Sequence, residues 1–210
     1  NAKGLGKLRT AWNCFRTNRD EKRFQEATVL YGELQEFLRS QGCRSLVPAP
    51  PFLELDIVKG SPKLQDYMKT PVSTVDWDMV SVMQYNSMFA GYSRGLIKID
   101  ETPWYLYALC VNLKKYFGSR AAISIGTTGI GKLGDEPYYP EPEAMRADVE
   151  AVLAAGIEDV AVFCLEGILK SANPEGWFEM IRSAVPRIPR RSGKMNFLRA
   201  AGSGLYRLLP

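Results

Sequence analysis

The sequence predicts an α/β fold that forms part of a (β/α)8 TIM-type barrel, about four C-terminal β/α units in all. Short apolar segments alternate with helical segments at regular intervals of a few tens of residues, which implies parallel strands joined by right-handed crossovers. The strand segments are apolar on both faces, as expected of a sheet covered by helices. A closed eight-stranded barrel takes about 250 residues, and four strands alone would leave two bare edges. We therefore expect the first half of the barrel to be missing from this chain; an open four-stranded sheet or a dimer of halves are the alternatives.

The first half of the chain predicts two helices and two strands. Apolar residues at helical spacing from Phe24 to Leu38 predict a helix over 23–42, which ends at a glycine. A strand over 44–47 follows and is expected to stop at the loop PAPPFLELD. A short helix over 62–68 precedes the second strand, the apolar run MVSVMQYN.

The second half repeats this alternation with clearer boundaries. A helix is predicted over 102–118, because Thr102 can cap its start and Gly118 can end it. The strand AAISIG follows directly. Pro142 begins the next helix, the apolar run DVAVFCL is the fourth strand, and Asn173 can cap a final helix.

Charge is distributed unevenly along the chain. Of the 27 basic residues seven lie from Arg182 onward, where there is no acidic residue, so the preceding body has 20 basic and 23 acidic residues. A body without excess positive charge argues against nucleic-acid binding as the main function. The sequence divides into a half-barrel over 1–185 and a basic tail over 186–210 that contains Pro, Gly and Ser and is expected to be a surface extension.

Several kinds of chemistry are excluded by composition. The chain contains no histidine, which removes Ser-His-Asp and Cys-His catalysis and His-ligated zinc within this chain. Its four cysteines lack metal-ligand spacing, and we predict neither a metal nor a cofactor. No apolar run is long enough to span a membrane, and no targeting segment is recognisable at the start.

The candidate site residues follow the predicted strands, because active sites of (β/α)8 barrels form at the C-terminal ends of their strands. Tyr85 and Glu166 are the predicted catalytic residues. The predicted substrate-binding residues are Gln84, Asn86, Thr127, Thr128, Glu54, Asp56 and Trp77. Alternatively, Tyr85 packs inside the barrel and Asn86 closes a turn. The alternative for Glu54 and Asp56 is that they are solvated charges in a loop.

Glu166 directly follows the apolar run VAVFCL, without an adjacent cation in the sequence. Burying an unpaired carboxylate is costly, so such a residue is expected to be used or paired. Apolar neighbours such as Val162 and Cys164 predict a raised pKa for Glu166, which suits an acid near neutral pH. An ion pair with an arginine from a neighbouring loop is the alternative.

The segment GTTGIGK follows the third strand and fits the pattern GxxxxGK of nucleotide-binding loops. Leu133 stands where such a loop has Ser or Thr, and three prolines follow, so no helix can continue. We therefore predict no nucleotide site. A close backbone approach to a sugar or a phosphate group suits these glycines better.

At WDMVSVMQYNSMF the chain resembles the sixth strand of chitinase-like family-18 glycoside hydrolases. The resemblance implies that Tyr85 would steady the N-acetyl group of the substrate, which acts as the nucleophile in that family, with Asn86 beside it. AAISIG and DVAVFCLEG would then be the seventh and eighth strands. The family's acidic motif DxxDxDxE is absent, and the segment around Cys164 and Glu166 replaces its tryptophan at the end of the eighth strand.

The sequence thus predicts a glycoside hydrolase-like barrel that acts on or binds a carbohydrate polymer at the C-terminal ends of its strands. Aromatic residues near the predicted loops suit stacking on sugar rings: Phe52, Trp77, Phe89, Tyr92, Tyr138 and Tyr139. One alternative is a non-catalytic carbohydrate-binding barrel. Another is a barrel enzyme that binds a phosphorylated small molecule at the loop over 126–132. The expected partners are the substrate and either the missing half-barrel or a second copy.

Overall fold

The computed structural model describes residues 20–129 and 134–209, which form four strands and nine α-helices. The strands are β1 (Leu46–Ala49), β2 (Met79–Met83), β3 (Ala121–Gly126) and β4 (Asp159–Phe163). The helices are α1 (Glu21–Ser40), α2 (Leu53–Lys59), α3 (Lys63–Met68), α4 (Asn86–Gly91), α5 (Thr102–Phe117), α6 (Pro142–Ala154), α7 (Leu165–Leu169), α8 (Pro174–Ser183) and α9 (Gly193–Leu208).

The four strands form one parallel sheet in the order β1-β2-β3-β4. Val47 lies opposite Val80, Val82 lies opposite Ile123, and Ile123 lies opposite Val160 on its other side. Helices fill the connections between the strands, as parallel pairing requires. The predicted α/β class and the predicted neighbouring parallel strands are therefore confirmed.

One face of the sheet carries the hydrophobic core. Val82, Ile123 and Ile125 are fully buried in one cluster with Leu109 of α5 and Met145 of α6. Each apolar side chain of this size stabilises the fold by roughly 1.5–3 kcal/mol when it leaves water. The core thus lies between the sheet and the two longest crossover helices.

The alternate residues of the strands point to the opposite face, since side chains alternate along a strand. This face carries Met83 of β2, Ser124 of β3 and Phe163 of β4. At its edges the face reaches solvent, because Phe163 is 43% exposed and Leu46 of β1 is 55% exposed.

Asp78 connects α1 to the N-terminal ends of β1 and β2. Its carboxylate accepts hydrogen bonds from the Ser45 backbone N–H at 2.9 Å, from the Ser45 hydroxyl at 3.0 Å and from Gln35 Nε2 at 2.9 Å. Arg39 adds an ion pair at 3.1 Å. The hydrogen bond from the Ser45 backbone makes the largest contribution to lowering the pKa of Asp78. Together the donors hold this pKa well below its usual range.

Several boundaries differ from those predicted. Strand β1 continues through Pro48, which an edge strand tolerates because one side of its backbone is unpaired. The loop expected after β1 contains α2, and the second strand ends at Met83 because α4 begins at Asn86. Asn173 caps α8 as predicted, since its side chain accepts a hydrogen bond from the Gly176 N–H at 3.0 Å.

The C-terminal segment was expected to be a surface extension, and for its last part this is wrong. Helix α9 packs on α2 and α5, with Met195 and Tyr206 buried. Trp104 of α5 donates a hydrogen bond from Nε1 to Asn196 at 2.8 Å. No described helix combines the length and the hydropathy that crossing a lipid bilayer requires.

Candidate functional site

An aromatic pair lies where β2 and β4 end. The rings of Tyr85 and Phe163 stack, with centroids 5.6 Å apart and an angle of 30° between their planes. The Tyr85 hydroxyl lies 3.3 Å from the hydroxyl of Ser124 on the strand between them. Tyr85 is half-buried and Phe163 is 43% exposed. We call these three residues the aromatic platform.

The residues on either side of Tyr85 point into the protein. Gln84 donates a hydrogen bond to Asn86 Oδ1 at 3.0 Å, and Asn86 donates one to Asp148 Oδ1 at 2.7 Å. Tyr139 donates its hydroxyl to the other oxygen of Asp148 at 2.5 Å. All four residues are buried. Gln84 and Asn86, predicted to bind substrate, are therefore parts of an internal network that connects β2 to α6.

Asp148 is a buried carboxyl that forms no ion pair with any residue that the structure describes. Burial raises its pKa to about 6, and the hydrogen bonds from Tyr139 and Asn86 oppose this only in part. Burial and the nearby Asp148 also raise the pKa of the Tyr139 hydroxyl. Asp148 was not among the predicted site residues, although in the sequence it directly precedes Val149, one of the apolar residues of α6.

Thr127 and Thr128 are buried at the end of β3 and hold loops together. Thr127 donates its hydroxyl to the Pro137 carbonyl at 2.7 Å, and its backbone N–H donates to Ser87 Oγ at 2.7 Å. Thr128 donates to the Cys164 carbonyl at 2.8 Å. Their hydroxyls are thus occupied by the backbone rather than presented to a ligand.

The glycines at this end of the sheet permit a close approach of two loops. A Cβ on Gly126 would lie 2.3 Å from the Phe163 carbonyl oxygen, and one on Gly167 would lie 1.7 Å from the Thr128 carbonyl oxygen. A Cβ on Gly129 would lie 2.6 Å from the Cα of Gly167. Packing of the segment after β3 against the end of β4 and against α7 therefore explains these glycines. Residues 130–132, the remainder of the GxxxxGK pattern, lie outside the described residues, so the predicted lack of a nucleotide site stays a prediction.

Glu166 does not have the environment that was predicted for it. The strand ends at Phe163, and Glu166 belongs to α7 with its side chain 72% exposed. Lys170 donates a hydrogen bond to its carboxylate at 2.5 Å and lowers its pKa. The prediction of a desolvated acid with a raised pKa is wrong, because the cation lies one helical turn away.

Glu54 and Asp56 belong to α2 and are buried, so their interpretation as solvated loop charges is wrong. Glu54 forms an ion pair with Arg199 of α9. Asp56 accepts hydrogen bonds from the Gln65 backbone N–H at 2.9 Å and from the Tyr206 hydroxyl at 2.6 Å. Both carboxylates hold helices together: Glu54 joins α2 to α9, and Asp56 joins α2 to α3 and α9.

Trp77 is also an internal residue. It is 6% exposed, and its Nε1 donates a hydrogen bond to the Pro71 carbonyl at 3.1 Å. Its ring contacts Tyr31 of α1, with centroids 5.7 Å apart. Trp77 precedes β2 and therefore lies at the N-terminal end of the sheet, opposite to the aromatic platform.

A shallow cleft of about 370 Å³ lies between α6 and α8, and Glu143, Arg146 and Asn173 line it. None of the predicted site residues borders this cleft. In the described part of the chain, no three acidic or cysteine side chains come together as metal ligands would. Among the predicted site residues, only Tyr85 combines a position at the end of a strand with partial exposure. Its two partners in the aromatic platform, Phe163 and Ser124, were not predicted.

Comparison of the chain with protein-family models, with characterised proteins and with solved structures finds no match.

Proposed function

We propose that this chain binds a carbohydrate at the aromatic platform, as part of a (β/α)8 barrel. The observation that carries the proposal is the stacked pair of Tyr85 and Phe163 at the C-terminal end of the sheet, with one ring 43% exposed. Aromatic rings present flat apolar surfaces, and the phenol adds a polar group at the edge. Such a surface suits a sugar ring, which has an apolar face and hydroxyls at its rim.

The barrel part of the proposal is supported by the strand order. A sheet in the sequential order β1-β2-β3-β4 winds in one direction, as the strands of a barrel do, whereas a doubly wound sheet reverses its order near the binding crevice. The edge strands β1 and β4 each have one neighbour among the described strands. A missing half-barrel or a second copy would cover both edges.

Taken alone, the described residues support binding of a carbohydrate rather than hydrolysis of its glycosidic bonds. Glycoside hydrolysis uses two carboxyl groups, or one together with assistance from the substrate. Glu166 is exposed and paired with Lys170, while both oxygens of Asp148 accept internal hydrogen bonds. Catalysis would therefore need a carboxyl group from elsewhere in a complete barrel, and the catalytic role of Glu166 stays a prediction.

The resemblance to family-18 glycoside hydrolases suggests the class of sugar. In that family the matching tyrosine contacts the N-acetyl group, and the Tyr85 hydroxyl here has Ser124 as its hydrogen-bond neighbour at 3.3 Å. That contact is long for two hydroxyls and is readily exchanged for one to a ligand. We therefore expect N-acetylated sugars to bind more tightly than their unsubstituted counterparts.

Titration calorimetry with soluble oligomers of N-acetylglucosamine, and in parallel with cello-oligosaccharides, tests this proposal. Tyr85→Ala and Phe163→Ala are each expected to weaken binding about fivefold, since an aromatic contact contributes about 1 kcal/mol. Tyr116→Ala is the matched control, because Tyr116 is 48% exposed on α5, which packs against the opposite face of the sheet. Absence of binding, or equal affinity for all three variants, would contradict the proposal.

A further inference from the structure

The chain beyond α8 combines positive charge with exposed apolar side chains. Six basic residues and no acidic residue occur from Val185 onward. In the extended stretch between α8 and α9, Val185 is 62% exposed and Ile188 is 64% exposed. Arg187, Arg190 and Arg191 are exposed between and beside them. We call the residues from 185 to 208 the basic segment.

Helix α9 presents an apolar stripe to solvent. Met195 and Tyr206 are buried against the rest of the protein, whereas Phe197 is 70% exposed and Leu205 and Leu208 are each 66% exposed. At 3.6 residues per turn the three exposed side chains fall within an arc of about 80°, on the side of the helix opposite Tyr206. This stripe therefore cannot contribute to the core of its own domain.

Most of the positive charge of the basic segment is not neutralised within the fold. Lys194 pairs with Glu101 at 2.9 Å, and Arg199 pairs with the buried Glu54. The three exposed arginines before α9 form no ion pair with any residue that the structure describes. The same holds for Arg207, which stands between Leu205 and Leu208 in the sequence.

We propose that the basic segment docks on the surface of an anionic lipid bilayer. Phe197, Leu205 and Leu208 would enter the boundary between headgroups and acyl chains, and Arg187, Arg190 and Arg191 would lie among the phosphates. Apolar side chains on one face of a helix together with basic residues are typical of helices that lie in the plane of a membrane surface. This proposal is independent of carbohydrate binding at the aromatic platform.

A lipid surface fits this segment better than a folded acidic partner. A folded acidic partner would pair with the arginines, but it would also need a surface whose shape matches the apolar stripe. A nucleic acid would use the arginines but would gain little from an aliphatic stripe. A fluid anionic surface uses both the charge and the apolar side chains, and it requires no matching shape.

Co-sedimentation of the full chain with vesicles tests the proposal. Vesicles of phosphatidylcholine alone are compared with vesicles of phosphatidylcholine mixed with phosphatidylserine, at low and at high salt. We expect binding to the mixed vesicles, weakened by salt because screening reduces the attraction. The variant R187Q/R190Q/R191Q should partition on the order of a hundredfold less, since each basic residue at such a surface contributes about fivefold.

The apolar contribution is tested separately. Phe197→Ser should reduce partitioning by about tenfold or more, whereas Phe37→Ser, at 60% exposure on α1, should leave it unchanged. The proposal is overturned if the chain binds neither kind of vesicle, or binds both equally. It is also overturned if Phe197→Ser has no effect while a polyanion such as heparin abolishes binding, because the segment would then recognise charge alone.

Discussion

Asn86 donates a hydrogen bond from Nδ2 to the buried carboxylate of Asp148 at 2.7 Å, and this contact connects the first residue of α4 with the middle of α6. Both residues are buried, and the exposed fraction of each is at most 2%. The contact fixes the turn that carries Tyr85, because Asn86 is the next residue. The orientation of the aromatic platform therefore depends on an internal hydrogen bond rather than on the platform itself.

The pH dependence of stability should reveal Asp148. Its pKa in the folded protein is about 6, above the unfolded value of 3.8, so the protonated form favours folding. The stabilisation is fully present below pH 3.8 and is lost as the pH rises through 6, roughly 3 kcal/mol in all at 1.36 kcal/mol per unit. The free energy of unfolding of the wild type minus that of Asp148→Asn, measured by urea denaturation, should fall across this range.

Asp159→Asn is the control for that measurement, since Asp159 is exposed at the start of β4. Its effect on the free energy of unfolding should be small, within about 0.5 kcal/mol, as for other exposed positions. A difference for Asp148→Asn that does not change with pH would show that the Asp148 carboxyl group is hydrated in solution.

The ion pair between Glu54 and Arg199 should be needed for the docking of α9. The Glu54 side chain is 7% exposed, so Arg199→Ala leaves a buried carboxylate without its cation. We expect a loss of about 3–5 kcal/mol, measured by urea denaturation. Glu54→Gln combined with Arg199→Met should recover much of it, because neither charge then remains buried. Arg207→Ala, at an exposed position, should have little effect, and an equal loss there would contradict this account.

The close approach of α7 to the segment after β3 predicts that Gly167→Ala lowers the stability of the protein, whereas Gly32→Ala should raise it. Gly167→Ala puts a Cβ 1.7 Å from the Thr128 carbonyl oxygen, and we expect a loss of about 1–3 kcal/mol or more from overpacking. Gly32→Ala in α1 meets nothing within 4 Å and should stabilise the protein by about 0.5–1 kcal/mol. Thermal unfolding of both variants checks this, and a stabilised Gly167→Ala would show that the loops separate in solution.

Glu166→Gln tests the catalytic role predicted from the sequence. Because the side chain is exposed and its contact is with Lys170, the residue that follows α7, we expect an unchanged melting temperature and unchanged oligosaccharide affinity in this chain. A large loss of affinity would return Glu166 to the site. If Glu166→Gln removed turnover without reducing stability in a complete barrel that supplies a second carboxyl group, this would establish a catalytic role for Glu166.

Local pattern was sufficient to predict the elements of the sheet. Apolar runs of strand length between capped helices predict parallel strands, and Val82 and Ile123 are neighbours as expected. The end of each strand was harder to predict, since an apolar run can continue into the next helix. In the run VAVFCL the strand ends at Phe163, and the last apolar residue, Leu165, already belongs to α7. Glu166 therefore lies in α7 instead of at the strand end.

The sequence by itself determined the α/β class, the four parallel strands and the position of Tyr85 after β2, because these follow from periodicity and from residues adjacent in the chain. Only the tertiary structure decided which polar residues are internal. Glu54 meets Arg199 and Asn86 meets Asp148 across long sequence separations. Burial and pairing depend on these distant contacts, which no local pattern encodes. The same reason places Phe163 beside Tyr85, since two strands have to align before the rings can stack.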